Sequence, residues 1–289
     1  MKNIILTGTS SGFGLLTAQT LARQGHTVFA TMRNVHTRNV AAAASLTGWA
    51  KDNKLNIEVV ELDVTDDASV MLAMVSIAEK TNGHMDVLIN NAGTAYTGLN
   101  ETLSAAQTDQ IFQINVIGVD RMIKGVLPYM HKNKDGLIIT LSSVVSRQCA
   151  PIMGTYSASK AAVDSLSVSY YYELRNTGID VAIVQPGAFP TTDIISKQMT
   201  PANPSAENYY GEDMHYYKKA VEKYFEPTPS SPDPQIVADL IVELIKTPKG
   251  QRQLWSIVGG GPFASAVNDI NAAIRQLADT IVGRRAVPS

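Results

Sequence analysis

In the run "GTYSASKAAVDSL", Tyr156 and Lys160 stand four residues apart. At the start of a helix, that spacing points both side chains the same way. A phenol loses its proton near pH ~10, so alone it is a poor acid–base catalyst at neutral pH. A neighbouring ammonium favours the phenolate and lowers that value, at about 1.4 kcal/mol per pH unit. The pair is a candidate general acid–base for an oxygen that gains or loses a proton. Thirteen residues before the tyrosine, "ITLSSVVS" places Ser143 just past an apolar run. A hydroxyl there can donate to a carbonyl oxygen and hold it beside the tyrosine.

A second stretch, "TGTSSGFG" from Thr7 to Gly14, carries three glycines between an apolar run and a helical pattern. Glycines let a backbone bend tightly and approach a pyrophosphate, and the helix that follows offers free N–H groups and its positive end. Gly8, Ser10, Ser11, Gly12, Phe13 and Gly14 are the candidate contacts. The spacing G-x-x-x-G-x-G is neither G-x-G-x-x-G nor a Gly-Lys-Ser/Thr phosphate loop. A plain tight turn would use the same residues. The second apolar run ends "VFATMRN". In nucleotide-binding sheets this strand end faces the adenosine ribose, where an acid binds a free 2′-hydroxyl and an arginine a 2′-phosphate. Arg33 stands there with no acid nearby, so NADP(H) is favoured over NAD(H).

The elements that must position these groups alternate. Strand candidates are Ile4–Leu6, Thr27–Ala30, Ile57–Leu62, Val87–Ile89, Leu137–Leu141, Val181–Val184 and Leu254–Val258. Helical patterns lie between, among them Leu15–Gln24 closed by Gly25, Ala68–Lys80, and Ser157–Asn176 closed by Gly178. Runs such as "LIIT" and "VLIN" are apolar on consecutive residues, as in strands covered on both faces. The expected fold is α/β, a Rossmann-type doubly wound parallel sheet of seven strands with helices on both faces. One domain over 1–289 is expected. Residues 188–234 break the rhythm with seven prolines from Pro190 to Pro234 and five tyrosines. Long ordered loops are often functional, and this one is read as a substrate lid.

Bulk properties exclude other classes. With 45% hydrophobic and 17% charged residues, the chain is not globally disordered. A net charge of -2 gives no reason to expect nucleic acid or an anionic membrane. The single cysteine, Cys149, cannot form a disulfide within the chain and reads as a small buried hydrophobe. The five histidines match no metal-ligand spacing. The opening "MKNIIL" stops at Thr7, too short for a signal peptide core, so a cytoplasmic protein is expected.

Taken together, "TGTSSGFG", "NNAG" (90–93), Asn115 in "INVIG", Ser143, "YSASK" (156–160) and "PGAFPT" (186–191) resemble the classical short-chain dehydrogenase/reductases. The match spans roughly Lys2 to Thr192. The resemblance implies that Tyr156 is the acid–base, that Lys160 also bonds the nicotinamide ribose, and that Ser143 orients the substrate oxygen. It implies that Asn115 holds a water linking Lys160 to solvent. Asn91, Ala92 and Gly93 would line the cofactor, Asp63 with Val64 would meet the adenine, and Pro186, Gly187 and Thr191 would flank the nicotinamide. "ATMR" resembles the NADP(H)-preferring branch with 17β-hydroxysteroid and retinol dehydrogenases. Phe13 stands where the family usually has isoleucine, and Ser11 where many NADP(H) members carry Lys or Arg. The implied reaction interconverts a ketone or aldehyde and its alcohol, a small-molecule carbonyl/alcohol substrate, in a homodimer or homotetramer. An isomerase, epimerase or dehydratase on the same scaffold, or a non-catalytic NADP(H) sensor, stays open. Single residues also keep structural readings. Asn90 and Asn115 have the type that satisfies buried backbone groups, Asp63 the type of a helix cap, and "YYY" (170–172) that of a packing surface.

Overall fold

Seven parallel strands form one sheet in the order β3-β2-β1-β4-β5-β6-β7. In this computed structural model, which describes residues 1–282, the strands are β1 (Asn3–Thr7), β2 (Thr27–Met32), β3 (Ile57–Glu61), β4 (Val87–Asn90), β5 (Gly136–Leu141), β6 (Ile179–Pro186) and β7 (Trp255–Val258). The helices are α1 (Gly12–Arg23), α2 (Val40–Asp52), α3 (Asp67–Thr81), α4 (Ala105–Phe112), α5 (Gly118–Asn133), α6 (Gly154–Glu173), α7 (Glu212–Tyr224), α8 (Gln235–Lys246) and α9 (Ala264–Val282). Residues 283–289 of the expected 1–289 unit lie outside the described residues. Each expected strand is present, with ends shifted by a residue or two; β2 runs on to Met32.

The consecutive apolar residues of β1 explain the layering. Ile4 and Leu6 point to one face and pack with Ala18 and Leu21 of α1 and Val237 and Ile241 of α8. Ile5, between them, points to the other face and joins Met74 of α3, Met122 of α5 and Val163 of α6. A strand covered on both sides cannot alternate polar and apolar residues, and this one does not.

Two helix ends follow different rules. Asp66 caps α3, accepting from the N–H of Ala68 at 2.8 Å, and Asn82 and Gly83 close it in the left-handed region. Helix α6 instead ends at Glu173, so Gly178 does not close it as expected. Gly178, at φ +88°, sits next to β6, where a Cβ would lie 2.1 Å from the Lys134 carbonyl oxygen. In the tyrosine triplet, Tyr170 packs into the core and donates to Asp120 of α5 at 2.5 Å.

The 188–234 segment contains a 3-10 stretch (Pro204–Tyr209) and α7, none of whose residues is buried. It is tied down at its far side. Gln198 Oε1 accepts from the Thr97 N–H at 2.7 Å, and the Asn203 N–H donates to the Thr102 carbonyl at 2.9 Å.

Candidate active site

The order of the strands reverses between β1 and β4, which opens a crevice at their carboxyl ends. The "TGTSSGFG" turn joins β1 to α1 there, and "NNAG" follows β4 beside it. Thr7 Oγ1 accepts from the N–H groups of Asn91 and Ala92 at 3.0 and 2.9 Å. The Asn91 amide returns bonds to the carbonyls of Thr7 and Gly8 at 2.7 and 2.9 Å. The two loops therefore brace each other. Gly14 belongs to this brace and not to the crevice wall: a Cβ there would lie 2.2 Å from the Gly8 carbonyl oxygen. Gly12 is different. Its φ of +56° favours glycine, and the place a Cβ would take is open, with nothing within 4 Å. Phe13, in place of the family isoleucine, packs edge-on against Phe189 at 5.0 Å between ring centres.

One cavity of about 1040 Å³ runs along the crevice. Of the sequence-derived residues, Gly8, Ser10, Ser11, Gly12, Phe13, Arg33, Asp63, Val64, Asn91, Ala92, Gly93, Ser143, Tyr156, Lys160, Pro186 and Gly187 line it. Thr191 does not, although its neighbour Thr192 does. Asn115 does not either. That asparagine is buried on a π-helical turn, Gln113–Ile117, a local widening that often marks a functional position. Its Oδ1 accepts from the Thr94 N–H at 2.9 Å, and its Nδ2 donates to the Thr94 carbonyl at 2.8 Å and to Ser159 at 3.0 Å. A Cβ on Gly93 would lie 3.4 Å from Asn115 Oδ1 and 3.8 Å from Lys160 Nζ, so this glycine keeps space between the two.

Both Tyr156 and Lys160 lie within α6, one turn apart as their spacing predicts. Lys160 Nζ donates to the Leu141 carbonyl at the end of β5 at 2.8 Å and sits 5.9 Å from the centre of the Tyr156 ring. Ser143, just past β5, donates to the Pro186 carbonyl at 3.3 Å. Burial works against the expected lowering of the phenol's pKa. Burial pushes the Tyr156 phenol up to about 12, and a hydrogen bond with Ser143 opposes this only in part. Desolvation also brings Lys160 down to about 8, while Asp164 acts to raise it. For the phenol the loss of water dominates, so Tyr156 holds its proton at neutral pH.

Asp63 is not a helix cap; its carboxylate accepts from the Thr65 N–H and hydroxyl at 2.9 and 2.7 Å, and lies 3.9 Å from Arg33. Asn90, expected to have a backbone partner if structural, has neither amide atom bonded. Cys149 is exposed, not buried. Sequence reasoning missed Arg38 and Lys197, which both line the cavity. Arg38 was findable as a second arginine in the loop that follows β2; Lys197 lies 186 residues from the glycine turn whose Ser11 it meets, and no local signal points from one to the other. Among the described residues no His, Cys, Asp and Glu side chains group as a metal site, and no helix is long and apolar enough to cross a membrane.

The sheet order and the glycine turn at its switch point define a Rossmann-type α/β protein. A family model described as short chain dehydrogenase matches residues 2–202. A 3-ketodihydrosphingosine reductase of Bacteroides thetaiotaomicron is 36% identical over 71% of this chain and 71% of its own length. Retinol dehydrogenase 8 of Bos taurus is 32% identical over 84% of this chain and 78% of its own. Among solved structures, an alcohol dehydrogenase from the archaeon Thermococcus sibiricus, complexed with 5-hydroxy-NADP, superposes with a TM-score of 0.70 at 25% identity, covering 89% of this chain and 96% of that one. The chain belongs to the short-chain dehydrogenase family, and it is an enzyme of that oxidoreductase type.

Proposed function

We propose that this enzyme interconverts a ketone or aldehyde and the corresponding alcohol with NADP(H), Tyr156 acting as general acid–base. The observation that carries the reading is that Ser143, Tyr156 and Lys160 share one cavity with the glycine turn and Arg33. The residues present fit a dinucleotide. The open space at Gly12 leaves the turn's backbone free to meet a pyrophosphate, and two arginines, Arg33 and Arg38, stand at the β2 end. A nicotinamide bound there would supply or accept the hydride. Gly8, Ser10, Ser11, Asn91 and Gly93 would hold the dinucleotide, with Asp63 and Val64 at its adenosine end.

The protein's own groups handle the oxygen. Ser143 and Tyr156 donate to the carbonyl oxygen and fix it in place. A phenol held near 12 is a weak acid, but an alkoxide is a much stronger base, so the proton passes to it downhill. The Lys160 ammonium then stabilises the phenolate, and the space that Gly93 leaves before Asn115 suits a water that returns the proton.

The substrate end is apolar: Ala95, Met153 and Tyr156 pack with Val145, Ile195 and Phe225. That lining suits a bulky apolar alcohol or ketone. In this reading the chain works as one catalytic unit, residues 188–234 are its lid, and it acts in the cytoplasm as a homodimer or homotetramer. A panel of apolar ketones, aldehydes and alcohols, followed by nicotinamide absorbance with NADPH or NADP⁺, tests the reading. Turnover of at least one carbonyl or alcohol is expected; tight NADPH binding with no turnover across the panel would overturn it.

A further inference from the structure

The cavity wall carries four cationic side chains, Arg33, Arg38, Lys160 and Lys197. Three have places already. Lys160 stands beside Tyr156, and Arg33 and Arg38 stand where β2 ends. Lys197 comes from the 188–234 segment, yet its Nζ lies 2.8 Å from Ser11 Oγ in the glycine turn. Its other partner is Asp193, one turn back in the same segment, at 2.8 Å. The next residue, Gln198, bonds the opposite wall through Thr97. Lys197 and Gln198 thus make a strap across the crevice, from the loop after β1 to the loop after β4.

A dinucleotide lying across the carboxyl ends of the strands would pass beneath this strap, with its pyrophosphate at the turn. The turn itself brings only small, polar and aromatic side chains and no cation. Ser11 opens α1 with its hydroxyl unused as a cap, and that hydroxyl turns instead to Lys197. We propose that Lys197 is a cofactor-binding residue that contacts the pyrophosphate and couples closure of the lid to dinucleotide occupancy. The assignment rests on the dinucleotide reading above. Asp193 and Ser11 hold the ammonium at the turn. A pyrophosphate offers it a stronger, charge-assisted partner at the same spot.

The test is equilibrium titration of wild type, Lys197→Ala and Lys197→Arg with NADPH and with NADH. The pyrophosphate is common to both. Lys197→Ala should lose roughly fivefold to tenfold in affinity for each, by the same factor, as expected for a partly screened ion contact. Lys197→Arg should restore most of it. Limited digestion with chymotrypsin gives a second readout, since Tyr209 and Tyr216 of the lid are well exposed. NADPH at saturation should protect the wild-type lid and leave that of Lys197→Ala cleavable. Unchanged affinity for both dinucleotides overturns the proposal. A loss confined to NADPH also overturns it, because that would place the contact on the 2′-phosphate. A wild-type protein that binds neither dinucleotide overturns the dinucleotide reading, and the role of Lys197 with it.

Discussion

Arg147 and Asp164 form an ion pair at 2.6 Å, with the arginine side chain 9% exposed and the aspartate side chain fully buried. The pair is not isolated. Asp164 also accepts from Trp255 Nε1 at 3.0 Å, Gln185 Nε2 at 2.9 Å and the Ser146 hydroxyl at 3.2 Å. Arg147 donates to Asn271 at 2.6 Å, and Asn271 donates back to Gln185 at 2.7 Å. The network joins α6, β6, β7 and α9 to the loop that carries Ser143.

Asp164→Asn should therefore be costly. It leaves the Arg147 guanidinium buried without its counter-charge, a change that destabilises by about 3–5 kcal/mol. Urea unfolding of wild type and variant measures it. A loss below about 1 kcal/mol would mean that water reaches the arginine and that the network contributes little. Asp164 is also one turn along α6 from Lys160, and its charge acts to raise the lysine's pKa. The variant should accordingly titrate Lys160 at a lower pH.

Tyr156→Phe should abolish turnover while sparing the cofactor site. In the proposed reaction the phenol gives a proton to the product oxygen, and such groups contribute about 10²- to 10⁴-fold. The ring stays, so packing against Ala95 and Met153 is kept. Turnover and NADPH affinity measured on the same preparation separate chemistry from binding. Retention of most of the activity would remove Tyr156 from the mechanism.

The tyrosine also marks how far the sequence could be read. Its four-residue spacing to Lys160 is local, and α6 realises it. The strands were legible for the same reason, since Ile4, Ile5 and Leu6 announce burial on both faces in three consecutive letters. The direction of the tyrosine's pKa was not legible. It depends on how much water the fold removes, and no spacing encodes that. Nor was the Arg147–Asp164 network, whose partners lie as far apart as 124 residues. Lys197 is a similar case: it meets Ser11 across 186 residues, and only the path of the 188–234 segment brings them together.

Lys160 gives a pH dependence. Burial lowers it from 10.5 to about 8, so it is an ammonium below pH 8 and neutral above. In the proposed mechanism the ammonium stabilises the phenolate that reduction would leave on Tyr156. The reductive kcat/KM for NADPH, which reports the free enzyme, should fall through an apparent pKa near 8. A profile flat to pH 10 would refute this. The linkage to stability has the opposite sign from a salt-bridged lysine. Between pH 8 and 10.5 the unfolded chain binds the proton and the folded one does not. The cost of burying Lys160 is full below pH 8 and fades as pH rises through 10.5, so this group's contribution makes the protein relatively more stable across that window.

Arg33 and Arg38 should divide the two nicotinamide dinucleotides. Both line the cavity at the β2 end, and Arg33 meets its acidic neighbour Asp63 only at 3.9 Å, with both side chains partly exposed. A contact that loose leaves the guanidinium free to turn toward a phosphate, which offers it a forked, charge-assisted bond. NADH has no 2′-phosphate to receive it. Arg33→Ala should therefore weaken NADPH roughly tenfold and NADH less than about twofold, with Arg38→Ala acting in the same direction. The double variant should bring the two affinities close together. Salt should weaken NADPH more than NADH in the wild type and equally in the double variant, since exposed charges are screened within about 10 Å at 0.1 M. Isothermal titration of the four proteins with both dinucleotides at two salt concentrations decides the matter. Equal losses for NADPH and NADH would move the arginines from the 2′-phosphate to a part the two dinucleotides share, and the preference for NADP(H) would lose its physical basis.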